Sequence, residues 1–437
     1  MTDPRVFEQQ VNNILKFTGA TQPEPEAVFI LVLGATGSGK TSFVSKCSGD
    51  ALEIGHDLSS CTSKLTITSF LHPSPTDPRI HKTIYLLDTP GFDDTSRSDS
   101  ETLTHLSHYL AVAYVNRIYI SGIILMHRII DPRLSGTARL NLGMFKQMLG
   151  EAAYENVAVV TSMWTSLPVD LEIQREKELI QGGGILAKVI NGGGRAFRWV
   201  GSDAEGSTAV PHSVIDHLLH QAHAGPVVLQ IQSELVDENR ELVDTSAGRF
   251  LADRQVLGLR KEYDAAIREI REGLPSTGLF NSQGKLGSLS QQEVQTQVDA
   301  EFADREKKLQ ENQAALSKTL LQMHHDEESR LEAQMQRIET DLNARIRKKQ
   351  QYLDSLAINH SPIPDPAVVT STELEILHLR REIQELRLEI EQKQASNDSI
   401  RHAFRGGMLF DTIGRVMGGA AATAIPALVA GSLCILM

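Results

Sequence analysis

Apolar residues recur along this chain in two different patterns, and the change comes near Val227. Upstream, short continuous apolar runs dominate. Residues 27–33 form one such run, ended by Gly34, and runs of this kind predict strands buried on both faces of a parallel sheet. Further strands are predicted at 65–70, 82–87, 122–126, 157–161 and 196–200, with helical stretches between most of them. The alternation predicts an α/β domain over residues 27–222, three-layered, with a mainly parallel central sheet covered on both faces. Ahead of it, in 1–26, Val6, Phe7, Val11, Ile14 and Leu15 have helical spacing before Pro23 and Pro25 break the chain.

Downstream the pattern is helical. Residues 223–273 carry few strand signals, and 274–289, with Pro275 and several glycines, read as a linker. Ser290 with Glu293 fits a capping box that opens one long helix, 290–358. Its apolar residues, from Val294 and Val298 to Ile338 and Leu342, have coiled-coil spacings, interrupted around 324–329. Pro362, Pro364 and Pro366 mark a loop over 359–371. In a second helix, 372–405, Ile376, Leu379, Ile383, Leu386 and Ile390 form a heptad seam, which fits either a hairpin within the chain or self-association. The tail 407–437 is apolar, and 416–437 contain no charged residue. As a helix that stretch would span about 33 Å, near bilayer thickness. It is read as a membrane anchor that leaves the rest of the chain in the cytosol, with Arg401, Arg405 and Arg415 on the near side. Burial against the chain or a partner is the alternative, favoured by Gly418, Gly419 and Pro426.

Composition narrows the picture. A length of 437 residues suggests two or three domains, and the net charge of −12 argues against nucleic acid as a general partner. Cys47, Cys61 and Cys434 are sparse, odd in number and not at metal spacing, so reduced thiols in a cytosolic compartment are expected. Residues 1–10 are polar and do not resemble a secretory signal.

The chemistry is concentrated after the first predicted strand. Gly34-Ala35-Thr36-Gly37-Ser38-Gly39-Lys40-Thr41 fits G-x-x-x-x-G-K-[ST] in full, with Ser42 opening a helix. Glycines let backbone N–H groups curl around phosphate oxygens, and the helix N-terminus adds partial positive charge. Lys40 is expected to reach the β- and γ-phosphates, and the Thr41 hydroxyl to ligate Mg²⁺. Asp88-Thr89-Pro90-Gly91 closes the strand at 82–87. Its aspartate can hold the Mg²⁺ shell, and the Gly91 N–H can sense the γ-phosphate. Between the two motifs, in a polar loop, Thr62 is the candidate second hydroxyl ligand to Mg²⁺. Lys40, Thr62 and Gly91 are thus the candidate catalytic groups.

These elements, together with Ser60-Cys61-Thr62-Ser63, Asp88 through Thr95, His127-Arg128-Ile129 with Gly136-Thr137-Ala138, and Val159 through Trp164, resemble the septin-like branch of P-loop GTPases. That branch includes immunity-associated nucleotide-binding proteins, chloroplast import receptors and G-domain proteins of fungal type. The resemblance implies GTP and GDP, Mg²⁺, a switch cycle, and dimerisation across the nucleotide face, while the heptad seam allows a helical partner. The chain departs from the family where guanine is read. In place of Asn/Thr-Lys-x-Asp it has Thr161-Ser162-Met163-Trp164, so ATP is not excluded, and Trp164 is expected either to stack on the base or to pack in the core. Asp170 and Gly201-Ser202-Asp203 are further base-contact candidates.

Phe92 stands where small GTPases carry a water-orienting glutamine, and Asp93, Asp94 and Thr95 are the polar alternatives, so hydrolysis is expected to be slow. Arg117, Arg128 and Arg133 are candidate cations, though more in keeping with surface or structural roles. His105 with His108, and His324 with His325, are read as solvated helix faces rather than metal ligands. The leading expectation is a membrane-tethered nucleotide switch. A non-hydrolysing scaffold acting through its helices and an ATPase are the alternatives.

Overall fold

The computed structural model describes residues 4–19, 21–49, 65–92, 98–130, 136–165, 170–200, 209–221, 225, 227–272, 291–358, 378–388 and 391. All six predicted strands are present: β1 (Val28–Gly34), β2 (Thr66–Pro73), β3 (His81–Asp88), β4 (Ile120–Arg128), β5 (Val157–Ser162) and β6 (Arg195–Arg198). They form one sheet in the order β2-β3-β1-β4-β5-β6. Every pairing is parallel except that of β2 with β3. The exception follows from connection length. Residues 74–80 provide a turn between β2 and β3, far short of the crossover a parallel neighbour needs.

The period-2 alternation of strand side chains divides the apolar runs between two cores. Phe29, Leu31 and Leu33 of β1 face one, and Val28, Ile30 and Val32 the other. The first core is covered by α3 (Asp99–Val115), α4 (Gly136–Leu149) and α6 (Ile185–Asn191). The second is covered by α2 (Lys40–Ser48) and α7 (Ala209–Gln221). α5 (Asp170–Gln181) follows β5. The predicted N-terminal helix, α1 (Pro4–Phe17), lies on edge strand β2. There Asn13 Nδ2 donates to the Ile67 carbonyl at 2.7 Å, and the Ile67 N–H donates to Gln10 Oε1 at 2.9 Å. Two side chains one helical turn apart thus occupy the backbone groups that an added strand would pair with.

Beyond 222 the chain returns to the same core. Val227 makes an antiparallel bridge to Ile120. It is followed by α8 (Gln230–Gln232), a π-helical turn at Ser233–Asp237 and α9 (Ser246–Glu272). The stretch expected as one helix, 290–358, is two: α10 (Gln291–Leu316) and α11 (Leu320–Ile358). The break falls at 317–319, and residues 324–329, where the apolar seam is interrupted, are continuous helix. Its cause is local. The Thr319 N–H donates to Gln322 Oε1 at 2.9 Å, and the Gln322 N–H reaches Thr319 Oγ1 at 3.3 Å, a reciprocal cap that starts a new helix.

α10 packs on α9 within the chain, around Ala266, Ile270, Val298 and Phe302. Residues 378–388 of the second predicted helix are helical, with Leu379 and Ile383 buried and Glu382 paired to Lys349 of α11 at 2.7 Å. Among the described residues no helix is long and apolar enough to cross a membrane. The linker 274–289, the loop 359–371, most of 372–405 and the tail 407–437, including the proposed anchor 416–437, lie outside the described residues.

Candidate functional site

Two loops meet at the C-terminal ends of β1 and β3, which are parallel neighbours with Val32 opposite Asp88. The first is the glycine-rich turn, Gly34 to Gly39. Gly39 caps α2 with φ +88°, a left-handed conformation that admits glycine without strain. Lys40, the first residue of α2, is buried, and its Nζ donates to the carbonyls of Gly34 at 3.0 Å and Ala35 at 3.1 Å. The ammonium thus sits inside the turn. Within the same turn, Thr36 Oγ1 and Ser38 Oγ are buried and have no hydrogen-bond partner among the described residues. Orphan hydroxyls beside a buried ammonium form a donor set suited to phosphate oxygens.

The second loop is Asp88-Thr89-Pro90-Gly91. Asp88 is 2% exposed, and its Oδ2 accepts a 2.6 Å hydrogen bond from Thr41 Oγ1. Thr89 Oγ1 donates to the Val32 carbonyl at 2.7 Å, tying this loop to β1. The Thr36 N–H donates to the Phe92 carbonyl at 3.3 Å, and Ala35 and Phe92 form a parallel bridge. A methyl group added at Gly91 would lie 2.3 Å from Thr36 Oγ1, so only glycine allows the two loops this close.

The residues fit Mg²⁺. Thr41 and Asp88 place a hydroxyl and a carboxylate, both hard oxygen donors, side by side at the mouth of the turn. Among the described residues no group of three or more His, Cys, Asp or Glu side chains is placed to hold a metal ion. A cation bound by two protein oxygens completes its octahedron with water and phosphate, as Mg²⁺ characteristically does. Thr62, the third expected ligand, lies outside the described residues, as do Asp93, Asp94, Thr95, Arg133 and the Gly201-Ser202-Asp203 segment.

Strand β5 contributes a contact that sequence reading missed. Ser162 Oγ donates to the Ser38 carbonyl at 2.7 Å, both residues buried, so the end of β5 braces the glycine-rich turn. Its signal was its place at the end of a strand one removed from β1 in the sheet. Arg128, read as more in keeping with a surface or structural role, ends β4. Its Nη1 stands 3.5 Å from where a Cβ on Gly37 would be, beside the turn. Arg117 precedes β4, at the opposite end of the sheet from the two loops.

Trp164, expected either at the base or in the core, is enclosed. It is 5% exposed, its Nε1 donates to Thr161 Oγ1 at 3.1 Å and to the Thr161 carbonyl at 3.2 Å, and the Arg198 guanidinium covers the ring at 4.9 Å. Arg198 is held by hydrogen bonding to Glu176, which raises its pKa. Beside Trp164, Met163 reaches solvent, with φ +59° and 42% exposure. Its Cε lies 3.7 Å from a Cβ built on Gly39, on the same side as Trp199. Asp170 begins α5. Cys47 of α2 is a free, buried thiol, and burial pushes its pKa far above the usual thiol range.

No protein-family model matches the chain, and no curated protein matches it. Among solved structures it is similar to Toc33 from Arabidopsis thaliana in complex with GDP and Mg²⁺, at 15% identity and a TM-score of 0.38, over 52% of this chain and 100% of that one. The Toc33 complex with Mg²⁺ and GMPPNP matches at 15% identity and a TM-score of 0.36, over 50% and 94%. A bacterial selenocysteine-specific elongation factor, EF-Sec, matches at 14% identity and 0.32, over 45% and 29%. Likenesses this distant add nothing to what the chain's own strands and loops establish: a P-loop α/β domain with a mostly parallel six-stranded sheet.

Proposed function

We propose that the chain is a nucleotide-dependent switch that binds GTP with Mg²⁺ at the junction of the two loops and hydrolyses it slowly. The observation that carries this reading is the Thr41–Asp88 hydrogen bond at 2.6 Å, formed where Gly91 abuts Thr36. It sets the metal-ligand pair beside the lysine-bearing turn. In this arrangement the backbone N–H groups of 34–41 surround the phosphates and Lys40 neutralises their charge. Mg²⁺, when bound, supplies further neutralisation of the phosphate oxygens. Thr62 and Gly91 belong to the loops that order around a triphosphate and relax after its loss. Guanine is preferred here on the family resemblance, since no carboxylate occupies the Trp164 position.

Single-turnover assays with GTP and with ATP test the reading, using Lys40→Ala as control. GTP should be cleaved on the order of 10⁻⁴ to 10⁻² s⁻¹, the range of G domains without a helper protein. Tight binding without phosphate release would leave a scaffold with structural nucleotide, and faster cleavage of ATP would make the chain an ATPase. The reading extends to membrane attachment through 416–437. Alkaline carbonate extraction should leave the full chain in the membrane pellet and release a chain ending at Gly406. Equal behaviour of the two would remove the tether.

A further inference from the structure

Of the four histidines expected on solvated helix faces, His325 is exposed and His105 half-buried, but His108 and His324 are buried where α11 meets α3. His108 Nε2 and His324 Nδ1 are 3.1 Å apart, and both residues are at most 2% exposed. Around them lies a polar network that joins residues more than 200 apart in sequence. Tyr109 donates to Glu327 Oε1 at 3.0 Å, His105 Nδ1 lies 3.0 Å from Glu327 Oε2, and Arg330 Nη1 reaches the same oxygen at 3.5 Å. Below the network, Leu316, Leu320 and Met323 enter the main core, and the Leu242 N–H donates to the Lys318 carbonyl at 3.1 Å. The start of α11 is therefore docked on the α/β domain, on the helix that follows the Asp88–Gly91 loop.

We propose that this junction is a proton-sensitive latch: the His108–His324 pair, closed off by Glu327, holds α11 on α3 at neutral pH, and acid charges the pair and releases α11. The proposal is independent of whether nucleotide binds. A hydrogen bond between two imidazole rings needs one ring to donate and the other to accept, so at least one ring is neutral. His108 has nowhere to put a charge. Its Nδ1 is buried and has no partner among the described residues, and a buried charge without an acceptor is strongly disfavoured. Burial, reinforced by His324 and His105 and opposed by Glu327, pushes the His108 pKa down to about 3.

The other ionisable groups facing the pair are His105, Tyr109 and Glu101 on α3, Glu327, Asp326 and Arg330 on α11, and Lys318 at the elbow. Burial pushes Glu327 up, but hydrogen bonding and charge from His105, with charge from His108 and Arg330, hold it at about 2. An open cleft of about 340 Å³, lined partly by His105, His108, Asp326 and Arg330, gives solvent protons a route to the pair.

The sign follows from linkage. A histidine whose pKa is lower in the docked state binds its proton more readily once released. Docking is therefore full above the ordinary histidine value of 6.5 and weakens as pH falls from there towards about 3. One proton weakens it by up to about tenfold per pH unit. Glu327 acts in a lower window. Its contribution is present above 4.5 and is lost as pH falls towards about 2, so between pH 6.5 and 4.5 His108 dominates.

Amide hydrogen exchange on the full chain at pH 7.5 and 5.5, corrected for intrinsic rates, tests the latch. Protection of the first turns of α11 should fall by about tenfold relative to β1. In the double variant H108Q/H324Q, whose amides do not titrate, α11 and β1 should keep their ratio. No loss in the native chain, or equal loss in the variant, overturns the proposal. Should the variant fail to fold, ring NMR of the native chain decides. His108 should take up its proton only as α11 loses protection, and titration near 6.5 with α11 still docked refutes the latch.

Discussion

Replacing Lys40 with alanine is expected to weaken triphosphate binding by at least about a hundredfold while leaving the fold intact. In the structure the Lys40 ammonium is buried and donates to carbonyls of the turn it serves, those of Gly34 and Ala35. Those carbonyls are weak acceptors beside a phosphate oxygen, so a bound triphosphate draws the ammonium onto its own oxygens. Charge-assisted hydrogen bonds of this kind contribute about 1.5–3 kcal/mol each, and two of them amount to about a hundredfold or more in Kd. The stability cost is smaller. The variant loses neutral-acceptor bonds worth about 1 kcal/mol apiece and relieves the cost of burying an ammonium group. Titration with a fluorescent guanine triphosphate, alongside thermal melting followed by circular dichroism, separates the two effects. Unchanged affinity in a folded variant would remove Lys40 from the site and with it the reason for placing phosphate in the turn.

The parts of this molecule that were legible in the sequence are those whose cause is local. Residues 27–33 read as a buried strand because nothing in the run tolerates water, and β1 is buried at every position. The glycine-rich turn was legible because its glycines, lysine and threonine are contiguous, and Asp88 because it ends an apolar run. What escaped notice depends on partners distant in sequence. Ser162 is an ordinary serine until β5 is set beside β4 and its hydroxyl meets the Ser38 carbonyl. His108 and His324 look like surface residues in the sequence, and the docking of α11 on α3 brings them into a buried contact. The break at 317–319 is the instructive case. The cap that makes it, Thr319 with Gln322, has the same spacing as the one recognised at Ser290 and Glu293, but a coiled-coil seam drawn through Leu316 and Leu320 obscured it.

A methyl group at Gly91 tests the joining of the two loops more sharply than removal of any side chain. Gly91→Ala is expected to lower the melting temperature by about 3–10 °C and triphosphate affinity by about ten- to a hundredfold. The new Cβ would meet Thr36 at Oγ1, N and Cα, at 2.3, 2.5 and 2.6 Å. Non-bonded carbon atoms pack at about 3.5–4.0 Å, so one loop must move. Movement breaks the 3.3 Å bond from the Thr36 N–H to the Phe92 carbonyl and the bridge between Ala35 and Phe92. Those contacts set the distance between the glycine-rich turn and the Thr41–Asp88 pair, so the same shift spoils both the phosphate cradle and the metal-ligand geometry.

Two of the three contacting Thr36 atoms are backbone, which gives the prediction a second edge. Trimming the Thr36 side chain cannot relieve them, so the double variant G91A/T36A should bind no better than Gly91→Ala alone. If Thr36→Ala restored affinity, the clash would be a side-chain matter and the loops would not be locked through their backbones. If Gly91→Ala bound triphosphate as the native chain does, the close approach of the two loops would have no part in nucleotide recognition. Isothermal titration of the native chain and the two variants with the guanine triphosphate and Mg²⁺, each with its melting curve, distinguishes these outcomes.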